Sequence, residues 1–255
     1  MTRTAFEAVQ AARSEQKITT RALINGVVDH FFECHGDRNA SDDAAVIGGI
    51  GELNGQPVTV IGIQKGQTLA QNQQCHFGCP EPEGYRKAQR LMQQADKFGR
   101  PVVTLINTPG AFPDVHAEHH GQGEAIAQCL LTGAQIKVPY LSIIVGEGGS
   151  GGALALAGGD EVWMFEDSIY SVLSPEGYAS ILWKDAHRVA EAAEQMRLTA
   201  QDLYEDGIID RVVDEVNDVA KLQQLRQQIA EKITTLSALP AAERLAQRHA
   251  RFRKF

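Results

Sequence analysis

Apolar residues Ala22, Leu23, Val27, Val28, Phe31 and Phe32 recur at helical spacing and predict a helical segment over residues 1–35. After the polar loop HGDRNASDD the pattern becomes denser. Residues 44–64, AAVIGGIGELNGQPVTVIGIQ, read as two strands joined at Asn54-Gly55, a strong hairpin signal. Residues 64–84 are polar and read as a long loop of the kind that serves function or a partner. EGYRKAQRLMQQADKFG is an amphipathic helix closed by Gly99. RPVVTLIN is a short buried strand that TPGAFPD breaks sharply. The alternation then repeats, with a helix near 120–136, a strand at 139–145, a glycine-rich turn, and strands in EVWMF and SIYSVL. Ser174-Pro175 opens a helix as N-cap and first-turn proline. Thr199 caps another helix, Gly207 stops it, and IIDRVV returns as a strand. Residues 216–255 read as helical with a basic end. Strands alternating with helices define an α/β protein with a largely parallel sheet, and no linker or repeat divides the single unit 1–255.

The turn between the strand at 139–145 and the next helix holds seven glycines in residues 146–159, GEGGSGGALALAGG. Glycine is costly there unless the backbone turns unusually or approaches something closely. A phosphate cradle is excluded, because Ala153 and Leu154 stand where a P-loop needs Lys and then Ser or Thr. GGSGG satisfies G-x-S-x-G with Ser150 central, so a serine hydrolase is a second reading. It lacks a convincing base: of the later histidines, His187 falls in a helical pattern and His249 in the basic tail. The third reading uses the backbone N–H groups of Gly151, Gly152 and Ala153 at a helix start as an oxyanion hole, and close helix–sheet packing stands beside it as the bland alternative. NTPGAFPD adds a second glycine loop at a strand end, with Gly110 and Ala111, and ligand crevices in α/β sheets lie at such carboxyl ends.

A net charge of −8 makes nucleic acid and anionic membranes poor partners. No apolar run approaches a membrane span and the N-terminus has no apolar signal core, so a cytoplasmic location is expected. Cys75 and Cys79 form a C-x3-C spacing without a second pair and read as reduced thiols; no metal is expected on this chain. His116, His119 and His120 read as solvent-exposed. Arg244, Arg248, Arg251, Arg253 and Lys254 read first as a solvated helix end, with docking to an acidic partner or to CoA phosphates as the sharper alternative.

The motifs HGDR, GGIGELNGQPVTVIGIQKG, FGCPEPEGYRKAQRLM, NTPGAFP, GQGEAIA, IVGEGGSGGALALAGGD and YSVLSPEGYASILWKD occur in order between His35 and Asp214. Together they resemble the carboxyltransferase α subunits of bacterial acetyl-CoA carboxylase. The resemblance implies a crotonase-like fold, a spiral of ββα units. It implies a carboxyltransferase β subunit of the same fold, carrying the zinc, in an assembly of two α and two β chains. The remaining implied partners are a biotin carboxyl carrier protein and a biotin carboxylase. The implied reaction moves carboxylate from carrier-bound carboxybiotin to acetyl-CoA, giving malonyl-CoA for fatty acid synthesis. Carried onto this chain, it places the biotin-side donors at Gly151–Ala153, helped by Gly110 and Ala111. Lys65 and Gly66 of QKG fall near the site, with Lys65 an anion holder or a solvated lysine. Arg86 meets a CoA phosphate or, the favoured reading, pairs across its helix. Ser174, Pro175, Glu176 and Gly177 open a helix beside the substrate and a β-subunit interface, leaving Phe112 and Tyr178 partly exposed in an isolated chain. Gln67, Asn107 and Asp114 depart from the family pattern, which leaves fine substrate contacts and the acyl-CoA range open. A scaffold that only stabilises a β partner is the non-catalytic alternative.

Overall fold

A computed structural model describes residues 3–254. A first helix, α1 (Ala5–Ala12), is capped by Thr4 and Glu7 in a reciprocal box. It is followed by α2 (Thr20–Val27) and strand β1 (Asp29–Glu33). The single helical segment expected over 1–35 is thus two short helices and an edge strand, with Phe31 and Phe32 on the strand. Extended Val28 ends α2, and His30 takes a positive φ of 52° at the irregularity between Asp29 and Phe32.

Strands β2 (Val46–Leu53) and β3 (Gln56–Ile63) form the expected hairpin, with Asn54 and Gly55 both at positive φ as a two-residue turn requires. The polar stretch after it is not all loop. Thr68 and Gln71 make a second capping box that starts α3 (Leu69–Gln74). The long helix α4 (Pro82–Phe98) ends, as expected, at left-handed Gly99. Then follow β4 (Val102–Thr108), α5 (Val115–His119), α6 (Gln122–Gln135) and β5 (Tyr140–Gly149). The glycine turn opens the short helix α7 (Ser150–Leu154). The remainder alternates through β6 (Glu161–Phe165), β7 (Ile169–Ser171), α8 (Pro175–Trp183), α9 (Val189–Met196), α10 (Ala200–Glu205) and β8 (Arg211–Val213). It closes on α11 (Val219–Ala238) and α12 (Ala241–Phe252). His187 lies in the turn before α9, not on a helix.

The strands make one sheet in the order β1-β2-β3-β4-β5-β6-β8, with β7 pairing the far end of β5. Pairing is antiparallel from β1 to β3 and parallel from β3 onward. The period of two divides each central strand between the two faces. Val102 and Ile106 of β4, Tyr140 and Ile144 of β5, and Val162 and Met164 of β6 join one core with α4 and α6. Their neighbours Val103, Leu105, Leu141, Ile143, Trp163 and Phe165 join the opposite core with α2 and α11. Burial on both faces explains why these strands read as continuous apolar runs. On the first face, the hydroxyls of Thr104, Tyr140 and Ser142 all donate to the carbonyl of Leu156, at 2.7, 2.6 and 2.9 Å. This ties the chain after α7 to β4 and β5, the two strands whose ends carry the glycine loops.

The basic end of the chain divides: Arg253 and Lys254 are exposed, as a solvated helix end has them, whereas the other three arginines depart from both earlier readings. Arg244, Arg248 and Arg251 are buried, because the i, i+4, i+7 spacing puts them on the one face of α12 that packs inward. They hold backbone carbonyls and carboxylates of the chain itself, leaving none of the three to an external phosphate.

Candidate functional site

The site is built where β4 and β5 end side by side in parallel. After Thr108 the chain turns through Pro109, Gly110 and Ala111; after Gly149 it turns into α7. The two turns touch through their backbones. A Cβ on Gly149 would lie 2.0 Å from the carbonyl oxygen of Pro109, and one on Gly152 would lie 2.4 Å from Ala111 N and 2.7 Å from Gly110 C. Neither position tolerates a side chain without moving main chain. Close approach, not flexibility, therefore accounts for these two glycines.

The first turn is fixed by Thr108. Its hydroxyl accepts from Gly110 N at 3.0 Å and donates to Gly110 O at 2.8 Å, and Gly110 takes a φ of 148°. Phe112 N donates to Pro80 O, and the Gln122 amide donates to both Pro80 O and Phe112 O. Among the described residues Ala111 N, between these anchored groups, has no partner. In the second turn Ser150 has a positive φ of 52° and opens α7, whose first N–H groups have no intrahelical acceptor. The sequence-predicted residues Gly110, Ala111, Gly151, Gly152 and Ala153 are thus brought together, with Ala111 rather than Gly110 carrying the open N–H.

Two cavities flank this junction. An apolar one of about 740 Å³ is lined by Ser150, Gly151, Leu154, Tyr170, Tyr178 and Met196. A polar one of about 400 Å³ is lined by Lys65, Gly66, Asn107, Glu147 and Arg13. Lys65 and Gly66 therefore reach the site region, and Lys65 is paired with Glu147. Arg86 does not reach it. Its guanidinium holds Asp37 at 2.7 Å, Glu83 at 2.8 Å and the carbonyl of His120 at 2.8 Å, the cross-helix pairing expected and more. Ser174 caps α8 through Gly177 N at 3.1 Å, Pro175 fills the first turn, and Glu176 pairs with Arg13 at 2.7 Å. Phe112 and Tyr178 are half-buried. Of the three close histidines, all exposed, His120 bonds Glu83 at 2.7 Å with its ring tilted at 42° against His116, so it belongs to the Arg86 network.

Glu147 is the residue the sequence reading missed. It is the one charged side chain in GEGGSGG, and that isolation in a glycine turn was its signal. It is buried, its N–H donates to Asn107 Oδ1 at 3.1 Å, and its carboxylate joins Arg13 at 2.7 Å and Lys65. Lys65, Glu147, Arg13 and Glu176 form one chain linking the ends of β3, β5 and α1 to the start of α8. Burial alone would raise the Glu147 pKa, but Lys65 and Arg13 outweigh it and hold it below the ordinary carboxylate value. A carboxylate with a lowered folded-state pKa stabilises the fold at neutral pH, and that stability is lost as pH falls through the folded value. Stability should therefore drop on acidification below the usual glutamate pKa near 4.3, and Glu147→Gln should flatten that acid limb. The substitution should cost about 2 kcal/mol at pH 7, since Lys65 and Arg13 are only partly buried once unpaired. Urea melts of both proteins between pH 3 and 8 measure this; equal slopes would disprove it.

The hydrolase reading of Ser150 gains no base. His249 Nε2 bonds the carbonyl of Ala134 at 2.8 Å, and His187 sits exposed in its turn. Burial pushes the Cys129 thiol up to about 12, which makes it inert as a nucleophile. Among the described residues no group of three His, Cys, Asp or Glu side chains is arranged to hold a metal ion, and no helix is long and apolar enough to cross a membrane.

Comparisons with known proteins show the family and the fold. The model of the family described as acetyl co-enzyme A carboxylase carboxyltransferase-like matches residues 2–255. The acetyl-coenzyme A carboxylase carboxyl transferase subunit alpha of Streptococcus sanguinis strain SK36 is 54% identical over 249 residues, 97% of either chain. Among solved structures, a transcarboxylase 12S chain aligns with a TM-score of 0.75 at 21% identity, covering 92% of this chain and 45% of that one. A chain of a Pseudomonas malonate decarboxylase hetero-tetramer solved with coenzyme A aligns with a TM-score of 0.69 at 16% identity, covering 85% and 91%. The α/β fold is the crotonase-like fold of these carboxyltransferases. A family model spanning nearly every residue and a relative matched end to end place the protein by descent as well as by fold: the chain belongs to the family of acetyl-CoA carboxylase carboxyl transferase α subunits.

Proposed function

We propose that this chain's share of the carboxyl transfer is to hold the ureido oxygen of carrier-bound carboxybiotin at Ala111 and Gly151–Ala153, while a β subunit holds acetyl-CoA. The observation that carries this reading is the open Ala111 N–H beside the unpaired start of α7, two backbone donor sets meeting at one junction. Such donors suit an oxygen that gains negative charge as its carboxylate leaves, and they need no side-chain acid. When bound, carboxybiotin supplies the carboxylate that passes to the methyl carbon of acetyl-CoA. The chain's own residues position and hold. Thr108 fixes the first turn, and the Lys65–Glu147–Arg13–Glu176 chain braces the second against α8.

Two oxyanions must be held at once on substrates that meet, so the junction should open onto the β subunit rather than onto solvent. Half-buried Phe112 and Tyr178 and the exposed Val172, Ile181 and Leu182 lie on the loop and helix that would be covered. The test is co-expression with the β subunit and assay of carboxyl transfer between malonyl-CoA and free biotin. The complex should be active and the α chain alone inactive; transfer by α alone would sink the two-subunit reading. Hydrogen exchange adds an independent measure, because amides 108–114 and 148–154 should gain protection when β is added. Ser150→Ala should keep activity within about twofold, because no side-chain nucleophile is used; near-complete loss would restore the hydrolase.

A further inference from the structure

Tyr85 sits on α4 with its side chain fully buried in the core of the sheet face that carries the glycine turns. Its carbonyl accepts from Cys129 Sγ at 3.0 Å, yet its hydroxyl has no hydrogen-bond partner. Buried hydroxyls without partners are rare enough that each asks for an explanation. Burial raises its pKa well above the usual tyrosine value, so it stays a neutral phenol and cannot act as a base.

Its position is informative. The Tyr85 hydroxyl lies 2.8 Å from the point where a Cβ on Gly152 would stand, and Ala111 N lies 2.4 Å from the same point. The oxygen is therefore lodged where the two glycine turns meet, beside the one N–H of the first turn that is left open. It is too buried to touch a ligand. What it can do is brace the two touching turns in one relative orientation. Gly152 offers only backbone on its side, and the space beside it is shared by Ala111 N, Gly110 C and this oxygen, the one side-chain atom of the three.

We propose that Tyr85 is a positioning residue for the Ala111 donor, its hydroxyl wedged beside the contact of the Ala111 turn with Gly152 and so fixing the direction of the open N–H. The proposal rests on the reading of this junction as the anion-holding site. The ring alone would keep the core packed, but without the oxygen the Ala111 turn and Gly152, already in backbone contact, would shift together into the vacated space. Misplacement of a catalytic group by about an ångström is enough to cost up to about 100-fold in rate.

The experiment is Tyr85→Phe in the assembled α–β complex, with kcat, KM and thermal midpoint measured together. Because the hydroxyl makes no hydrogen bond, its loss should leave the midpoint unchanged or raise it. kcat should fall about tenfold, and KM for acetyl-CoA, held by the other subunit, should stay constant. A purely structural role would lower the midpoint and leave kcat per folded complex unchanged. A second measurement places Gly152→Ala in both backgrounds. With the phenol oxygen gone, one of the atoms crowding the new methyl is removed, so the double variant should lose less than the product of the single losses. Unchanged kcat in Tyr85→Phe, or its failure to assemble, would overturn the positioning role. In that case Gly152→Val separates the two ideas: an inactive Gly152→Val leaves the junction as the site with Tyr85 outside it, and an active one removes both.

Discussion

Arg248→Met should destabilise the chain by about 3–5 kcal/mol, the cost of leaving a buried charge and several carbonyls unpaired. Arg248 is 1% exposed, and its guanidinium makes five hydrogen bonds. Two go to the buried carboxylate of Asp160 at 2.8 and 2.9 Å, two to the carbonyls of Gly133 and Ile136 at the end of α6, and one to Val138 O. A guanidinium has five N–H donors, so the group is saturated. Methionine would fill the volume but strand Asp160, whose other oxygen bond is to Tyr140 N at 2.8 Å. Lysine should recover less than half of the loss, because an ammonium with three donors cannot span carbonyls on both sides of the turn. The consequence reaches the site. The carbonyls held by Arg248 lie in the segment that leads from α6 into β5, and β5 delivers Glu147 and the glycine turn. Denaturant titration of the purified chain gives the free energies; a loss below 1 kcal/mol for Arg248→Met would show that the α12 contacts are dispensable.

The same residue shows how far the sequence could be read. A run of arginines in an acidic chain suggests a solvated or ligand-binding tail when only charge is counted. The spacing 244, 248, 251 carried the opposite message, since it selects one helical face, but nothing local says that this face meets a helix end rich in unpaired carbonyls. That information belongs to packing between segments far apart in sequence. The elements that were legible were the ones with strong local chemistry. Asn54-Gly55 dictates its hairpin, Gly99 its helix end, Thr199 and Ser174 their helix starts. Phe31 and Phe32 misled because apolar pairs spaced three and four apart fit a helix, while the strand they form is fixed by pairing with β2. The capping box at Thr68 and Gln71 was present in the sequence, yet α3 buries no residue and so left no apolar period to notice.

The glycine turn was half legible. Two strand ends with glycine loops predicted one crevice, and the parallel pairing of β4 with β5 puts both there. What the sequence could not divide was the work among the glycines. Gly146 faces the Asn107 side chain and Gly148 the Tyr170 ring, Gly149 and Gly152 press on the opposite turn, and a Cβ on Gly151 would meet only Ile126 at 3.8 Å. Close packing and an open set of donors are therefore compatible uses of one stretch.

Those unequal surroundings give the second large prediction. Gly152→Val should lower carboxyl transfer by the assembled complex about 100- to 1000-fold, the range seen when an oxyanion donor is lost. Its Cβ would stand 2.4 Å from Ala111 N and 2.7 Å from Gly110 C, so the Ala111 turn must move and its open N–H turns with it. Gly151→Ala, one residue earlier, meets ordinary contact only and should keep most activity if its N–H is a donor, because alanine retains that N–H. The pair separates backbone geometry from glycine content: both changes remove one glycine from the same helix start, but only one displaces the facing turn. Assembly must be scored in parallel by co-purification with the β subunit, because a scaffold would keep full complex activity whenever assembly survives. A Gly152→Val complex that assembles and stays as active as the parent would show that the junction of the two turns takes no part in the chemistry. An assembled but inactive Gly152→Val beside an active Gly151→Ala is the result the contact geometry requires.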